Sequence, residues 1–156
     1  MDALEFLKED HQKVKRLFKQ IAETDDPSKR QELFDQIDTE LEIHAHIEET
    51  VFYPALENYD QLIDMVADAR DEHQTVKALL EELEELGVES GKFVEELTVL
   101  MESVEHHVEE EEDEMFPAVR DILDASTLED LGKQLASAKG KPQHDVDVET
   151  FGTNDS

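Results

Sequence analysis

Six residues of the 156-residue chain combine side-chain types and spacing suited to holding metal ions: His11, His44, Glu48, His73, His107 and Glu111. Two of the histidines head almost the same stretch. Each of His44 and His107 is followed at four residues by a glutamate (Glu48, Glu111) and at five by another (Glu49, Glu112). At ten residues each meets a proline preceded by an aromatic (Tyr53-Pro54, Phe116-Pro117). Positions four apart stand one above the other on a helix, so each stretch sets an imidazole beside a carboxylate. Two such pairs on facing helices supply most of a binuclear metal site. A carboxylate on an apolar stripe is costly to bury unless it is paired or bound to metal. A lone histidine there is more often an ordinary hydrogen-bonded core residue. Six such groups, recurring at matched spacing, point instead to a metal site.

The elements that present these groups follow from the apolar period. Asp2, with Glu5 three residues on, has the pattern of a capping box. The helix it starts places His11 in step with Leu4, Leu7, Val14, Leu17, Phe18 and Ile21. Asp26 and Pro27 restart the chain as N-cap and first helical residue. The second helix carries Leu33, Phe34, Ile37, Leu41, His44, Glu48, Val51 and Phe52 inward, and Pro54 is expected to kink or end it near Phe52 and Tyr53. A third runs from about Asp60 through Ile63, Val66, His73, Val76, Leu80 and Leu83 to an αL cap at Gly87. Ser90 opens a fourth, with Phe93, Leu97, Leu100, Val104, His107, Glu111 and Met115 inward, ending before Pro117. Ser126 and Glu129 form the capping-box pattern of a short fifth helix that ends by Gly140. Residues 141–156 read as a disordered acidic tail.

The first two helices and the next two repeat one unit. His11 maps to His73 at an offset of 62; His44, Glu48 and Pro54 map to His107, Glu111 and Pro117 at 63. The expected fold is all-α, an up-down-up-down four-helix bundle over residues 1–140 with an extra short C-terminal helix. His46, with Thr50 four residues on, is expected on the exposed face. His106 has Glu110 four residues on, so a shifted register is conceivable, although the matched distance to proline favours His107 with Glu111. His144 falls in the tail. Glu49 and Glu112 are placed either to support a ligand imidazole or simply to face solvent. Phe52 and Met115 read as core packing or as an apolar lid over the site.

The composition narrows the function. Asp and Glu number 43 against 14 Lys and Arg, a formal charge of -29 that disfavours nucleic acid and anionic membranes as partners. It suits cations, a basic partner or high salt. No cysteine is present, which removes disulfides, thiolate sites and cysteine nucleophiles. The N-terminus lacks a secretory pattern, and no apolar run is long enough to span a membrane. These features lead to the expectation of a cytoplasmic protein, a monomer or weak dimer. No separate catalytic base or nucleophile stands out. Imidazole with carboxylate and no sulfur suits iron, manganese or zinc, and shared carboxylates favour two ions. The Glu-x-x-His of ferritin-type bundles is missing.

His11, His44-x-x-x-Glu48, His73 and His107-x-x-x-Glu111, with the Glu-Glu and aromatic-Pro punctuation, resemble the hemerythrin-like HHE cation-binding family over roughly residues 2–123. The resemblance implies a non-haem centre of two iron ions with an oxo or hydroxo bridge. His11 and His44 would hold one ion, His73 and His107 the other, and Glu48 and Glu111 would bridge them. Oxygen carriers of this family have a further histidine four residues after the third-helix ligand, where this chain has Lys77; its duplicate is Lys15. They also carry the second bridging carboxylate as Asp at five residues rather than Glu at four. The departure points away from simple oxygen carriage. It leaves binding or sensing of oxygen, nitric oxide or peroxide, and an alternative in which a di-iron oxidoreductase consumes peroxide. A metal-free acidic interaction module is the third reading.

Overall fold

The Asp2 carboxylate accepts from the Glu5 amide at 2.9 Å, and the Asp2 amide donates to the Glu5 carboxylate at 3.0 Å. This capping box starts α1, Ala3–Glu23. The computed structural model describes residues 1–140, and the tail expected at 141–156 lies outside them. Asp26 caps α2, Pro27–Ile47, with Pro27 in its first turn. The chain does not stop at Pro54. It passes through a π turn, Glu48–Phe52, into α3, Tyr53–Leu56. Proline lacks an N–H and crowds the carbonyl four residues back. Pairing the Tyr53 amide with the Glu48 carbonyl, five residues back, widens the helix just ahead of the proline and lets it continue.

A 3₁₀ turn, Asp60–Leu62, leads into α4, Ile63–Leu86. Gly87 has the positive φ expected, 78°, but its ψ of 149° is extended rather than αL. The chain leaves the helix axis there, and Val88 packs into the core. The fourth long helix begins at Phe93, not Ser90. The Ser90 hydroxyl accepts from the Lys92 amide at 3.2 Å, closing a local turn ahead of the helix. α5, Phe93–Glu110, repeats the device of the first half. A π turn, Glu111–Met115, with the Phe116 amide on the Glu111 carbonyl, carries it past Pro117 into α6, Phe116–Ile122. α7, Ala125–Lys139, is capped by Asp124 rather than Ser126, because the Asp124 carboxylate already takes the Thr127 amide at 2.8 Å.

The described residues are therefore all-helical, with four long helical segments and a shorter fifth. α1 packs on α2 and α4 on α5, while α7 lies across α1 and α2. The interior has two apolar layers. One holds Leu4, Leu7, Ile47, Phe52, Tyr53, Leu56, Met115, Phe116 and Val119, closed by Leu128, Leu131 and Leu135 of α7. The other holds Val14, Leu17, Phe18, Leu33, Phe34, Ile37, Leu80, Leu83, Phe93, Leu97 and Leu100. The six candidate ligands fall between the two layers along every long helix. Among the described residues, no helix is long and apolar enough to cross a membrane.

Candidate metal centre

Each long helix contributes one histidine to the middle of the bundle, and the two π turns begin at the two glutamates. All six side chains are buried, Glu48 completely. Their donor atoms form two groups, His11, His44, Glu48 and Glu111, and Glu48, His73, His107 and Glu111. Within each group the atoms lie inside 4.8 Å of one another, and both groups share the two carboxylates. His11 Nε2 is 3.2 Å from Glu111 Oε1, and His44 Nε2 is 3.4 Å from Glu48 Oε1. His73 Nε2 is 3.0 Å from Glu48 Oε1, His107 Nε2 is 3.3 Å from Glu111 Oε2, and the two imidazole nitrogens are 3.2 Å apart. An octahedral ion with bonds of about 2.1 Å needs neighbouring ligand atoms about 3 Å apart and opposite ones about 4 Å. The observed separations of 3.0–3.4 Å match the neighbouring positions.

Four of these buried atoms, His11 Nε2, His44 Nε2, Glu48 Oε2 and Glu111 Oε1, make no well-aligned hydrogen bond, although His11 Nε2 and Glu111 Oε1 face each other at 3.2 Å. Each such group costs about 1–3 kcal/mol when left unsatisfied. Four together, in the same small space, are chemically suited to a cation.

Behind the donors lies a ring of carboxylates, one for each imidazole. His11 Nδ1 meets Glu112 at 2.6 Å, His44 Nδ1 meets Asp10 at 3.1 Å, His73 Nδ1 meets Glu49 at 2.7 Å and His107 Nδ1 meets Glu72 at 2.6 Å. A carboxylate behind a ring fixes its tautomer and aims the other nitrogen inward. Glu49 and Glu112 thus support imidazoles, each on a helix of the other half. Asp10 and Glu72 were not singled out by the sequence reading. The available signal was their place immediately before His11 and His73, repeated at the same offset of 62.

Burial would lower His44, His73 and His107, but the carboxylates overcome it. Glu48 and Asp10, with Glu111 behind, carry His44 up to about 10, and Glu111, Glu48 and Glu72 carry His107 up to about 12. His73 is raised too, chiefly by Glu48 against the effect of burial. Burial also works against Glu48, yet His44, His107 and His73 hold it well below the usual carboxylate range.

Tyr53 is a buried neighbour of the cluster that the spacing concealed. Its hydroxyl donates to Glu111 Oε2 at 2.5 Å, with Glu48 Oε1 at 3.1 Å and His73 Nε2 at 3.3 Å. On a regular helix, residue 53 stands about 140° round from residue 48. The i to i+5 pairing of the π turn brings it over Glu48 instead. On the opposite side, a cavity of about 40 Å³ is walled by the four histidines with Val14, Leu41, Ala45, Val76, Val104 and Val108. It has room for a ligand of a few atoms.

The remaining candidates lie elsewhere. His106 is exposed and, with Glu72 and Glu110, forms a smaller group outside the buried site. His46 is half-buried rather than exposed, beside an acidic groove lined by Asp38, Glu42, Glu49, Glu81 and Glu84. Half-burial follows from its place in that groove, between helices α2 and α4. Lys15 and Lys77 are exposed, Phe52 and Met115 belong to the apolar layer, and His144 lies outside the described residues.

The centre is thus of one class, a helical bundle with a buried imidazole–carboxylate site shared between two duplicated halves. Residues 2–119 match the hemerythrin HHE cation binding domain, and the chain belongs to that family. It is similar to a DNA nickase of Nostoc sp., 32% identical over 143 residues, 92% of this chain and 40% of that protein. It also resembles an uncharacterized hemerythrin-like protein of Schizosaccharomyces pombe, 32% identical over 69% of this chain and 54% of the other. The chain therefore spans about half or less of these two relatives. The crystal structure of an HHE cation binding domain-containing protein from Mycobacterium kansasii has a TM-score of 0.81 to this fold. The two chains are 30% identical, with 97% of this chain and 95% of that one covered.

Proposed function

We propose that the protein holds a non-haem centre of two iron ions that binds or senses a small oxidant, oxygen, nitric oxide or peroxide. The observation that supports this most is the convergence of six buried donors, four of their atoms without a well-aligned hydrogen bond. His11 and His44 are assigned to one ion, His73 and His107 to the other, and Glu48 and Glu111 to both. Imidazole and carboxylate without sulfur suit iron, and family membership favours the same centre. When bound, iron supplies a Lewis-acidic and redox-active position for the small ligand. The chain does the rest. The four carboxylates keep the imidazoles aimed inward, and Tyr53 holds Glu48 and Glu111 together through its hydroxyl. The valine-rich wall of the cavity of about 40 Å³ limits what can approach to a few atoms. An up-down-up-down topology, a unit over residues 1–140 and a cytoplasmic setting belong to the same reading. The charge of -29 keeps nucleic acid out of it.

Metal analysis of the wild type beside His44→Ala and Glu111→Ala tests the centre. Two irons per chain are expected, with the content falling in both variants. Unchanged content would remove the site and leave an acidic interaction module. Adding hydrogen peroxide to the iron-loaded protein then separates binding from catalysis, since turnover above that of free iron is expected only of a peroxide-consuming enzyme.

A further inference from the structure

We propose that the two ion positions are unequal, and that Lys139 of α7 makes them so: the ion at His11 and His44 is held more weakly and leaves first. The inference rests on the binuclear reading above. Duplication gives the two positions the same ligand types and a carboxylate behind each imidazole, with Asp10 standing where the other half has Glu72 and Tyr53 where it has Phe116, so a change at Lys139 itself is what isolates its effect. Three of the four imidazole–carboxylate contacts are 2.6–2.7 Å, and the fourth, His44 to Asp10, is 3.1 Å. Asp10 is also the carboxylate that pairs with a fixed cation. Its Oδ1 takes the Lys139 ammonium while Oδ2 faces His44. Among the described residues, Glu49, Glu72 and Glu112 form no ion pair with lysine or arginine.

Lys139 is held in place. Its ammonium lies 5.7 Å from the centre of the Phe6 ring and 4.0 Å from Glu40. Asp10 is buried and Lys139 mostly so, which weakens the screening of the pair by water. α7 stands outside the duplicated unit and packs on α1 and α2, so only one position receives this charge.

Two consequences act in one direction. A carboxylate neutralised by an ammonium draws less on the His44 Nδ1 proton, which makes Nε2 a poorer donor to a cation. The added positive charge on that side also opposes a divalent ion directly. Removing the group behind a ligand typically costs 10–100-fold in metal affinity. A partial withdrawal fits the lower end, about tenfold.

The test uses full-length chain loaded with Co²⁺, followed by its visible absorption as a chelator removes the metal. Wild type is expected to release two ions in two phases differing about tenfold in rate. Lys139→Gln, which keeps most of the alkyl stem, should slow the faster phase so that the two converge, and Lys139→Arg should keep them apart. Asp10→Asn should quicken the faster phase alone. Equal release of both ions from wild type, or unchanged phases in Lys139→Gln at two ions per chain, overturns the inference and leaves the centre intact. Fewer than two ions bound by wild type overturns both. Matching thermal melts of Lys139→Gln and wild type confirm that α7 stays docked.

Discussion

The Tyr53 hydroxyl lies between the two glutamates that both ions would share, and its duplicate position is Phe116, so only one half of the repeat supplies a hydroxyl. Burial, then the charges of Glu48 and Glu111, push the phenol well above its ordinary value of 10, so it stays protonated and able to donate. Tyr53→Phe removes a buried hydrogen bond to the charged Glu111 carboxylate, which costs about 1.5–3 kcal/mol. Denaturant unfolding of the metal-free variant is expected to show that loss, while metal content stays at two per chain. Equal stability of variant and wild type would mean that water or a shifted side chain replaces the hydroxyl. The six principal side chains were legible because the i, i+4 rule and the offsets of 62 and 63 act on sequence spacing alone. Tyr53 was not, because its position depends on one backbone bond, from the Tyr53 amide to the Glu48 carbonyl, that a residue pattern does not record.

At the scale of elements, the first two starts were legible, while those expected at Ser90 and Ser126 fall at Phe93 and Asp124. Asp2 and Asp26 cap through a side chain adjacent in sequence, so composition alone locates them. The passage through Pro54 and Pro117 depends on a choice between ending a helix and widening it, and buried Leu56 and Val119 favour continuing. How α7 docks was hidden for a similar reason. At Gly132 an added Cβ would lie 2.4 Å from the Met1 carbonyl oxygen and 3.0 Å from the Asp2 carbonyl carbon, both backbone atoms that cannot swing aside. Close approach of two backbones is invisible in a list of helix propensities. Gly132→Ala is expected to cost about 1–3 kcal/mol by overpacking and to lower the melting temperature. Gly140→Ala is the control, because its Cβ would find ordinary contact at 3.5 Å. If both variants melt with wild type, α7 does not pack on the α1 start as closely as the backbone indicates.

For the whole molecule, the interior charges matter in relation to protons as much as to metal. In the metal-free chain His44, His73 and His107 are raised above their unfolded value of about 6.5. Their contribution to stability is therefore complete below that value and is lost as the pH climbs through about 10 for His44 and about 12 for His107. Glu48 and Asp10 are lowered, so theirs is present above the ordinary carboxylate range and lost as the pH falls through their folded values. The metal-free protein is then best stabilised at mildly acid pH. Cations that take the place of imidazole protons must expel them, which becomes easier as the pH rises. A site bound only to the folded chain adds stability in proportion to the logarithm of its occupancy ratio. The melting temperatures of loaded and metal-free protein are thus expected to draw apart from pH 6 to pH 9, by about 5 °C or more at this chain length. Scanning calorimetry at three pH values measures the gap, and metal titration in two buffers of different ionisation enthalpy counts the protons released. A gap independent of pH would mean that the ions do not displace protons from these imidazoles, and that the acidic surface rather than the buried centre is what binds them.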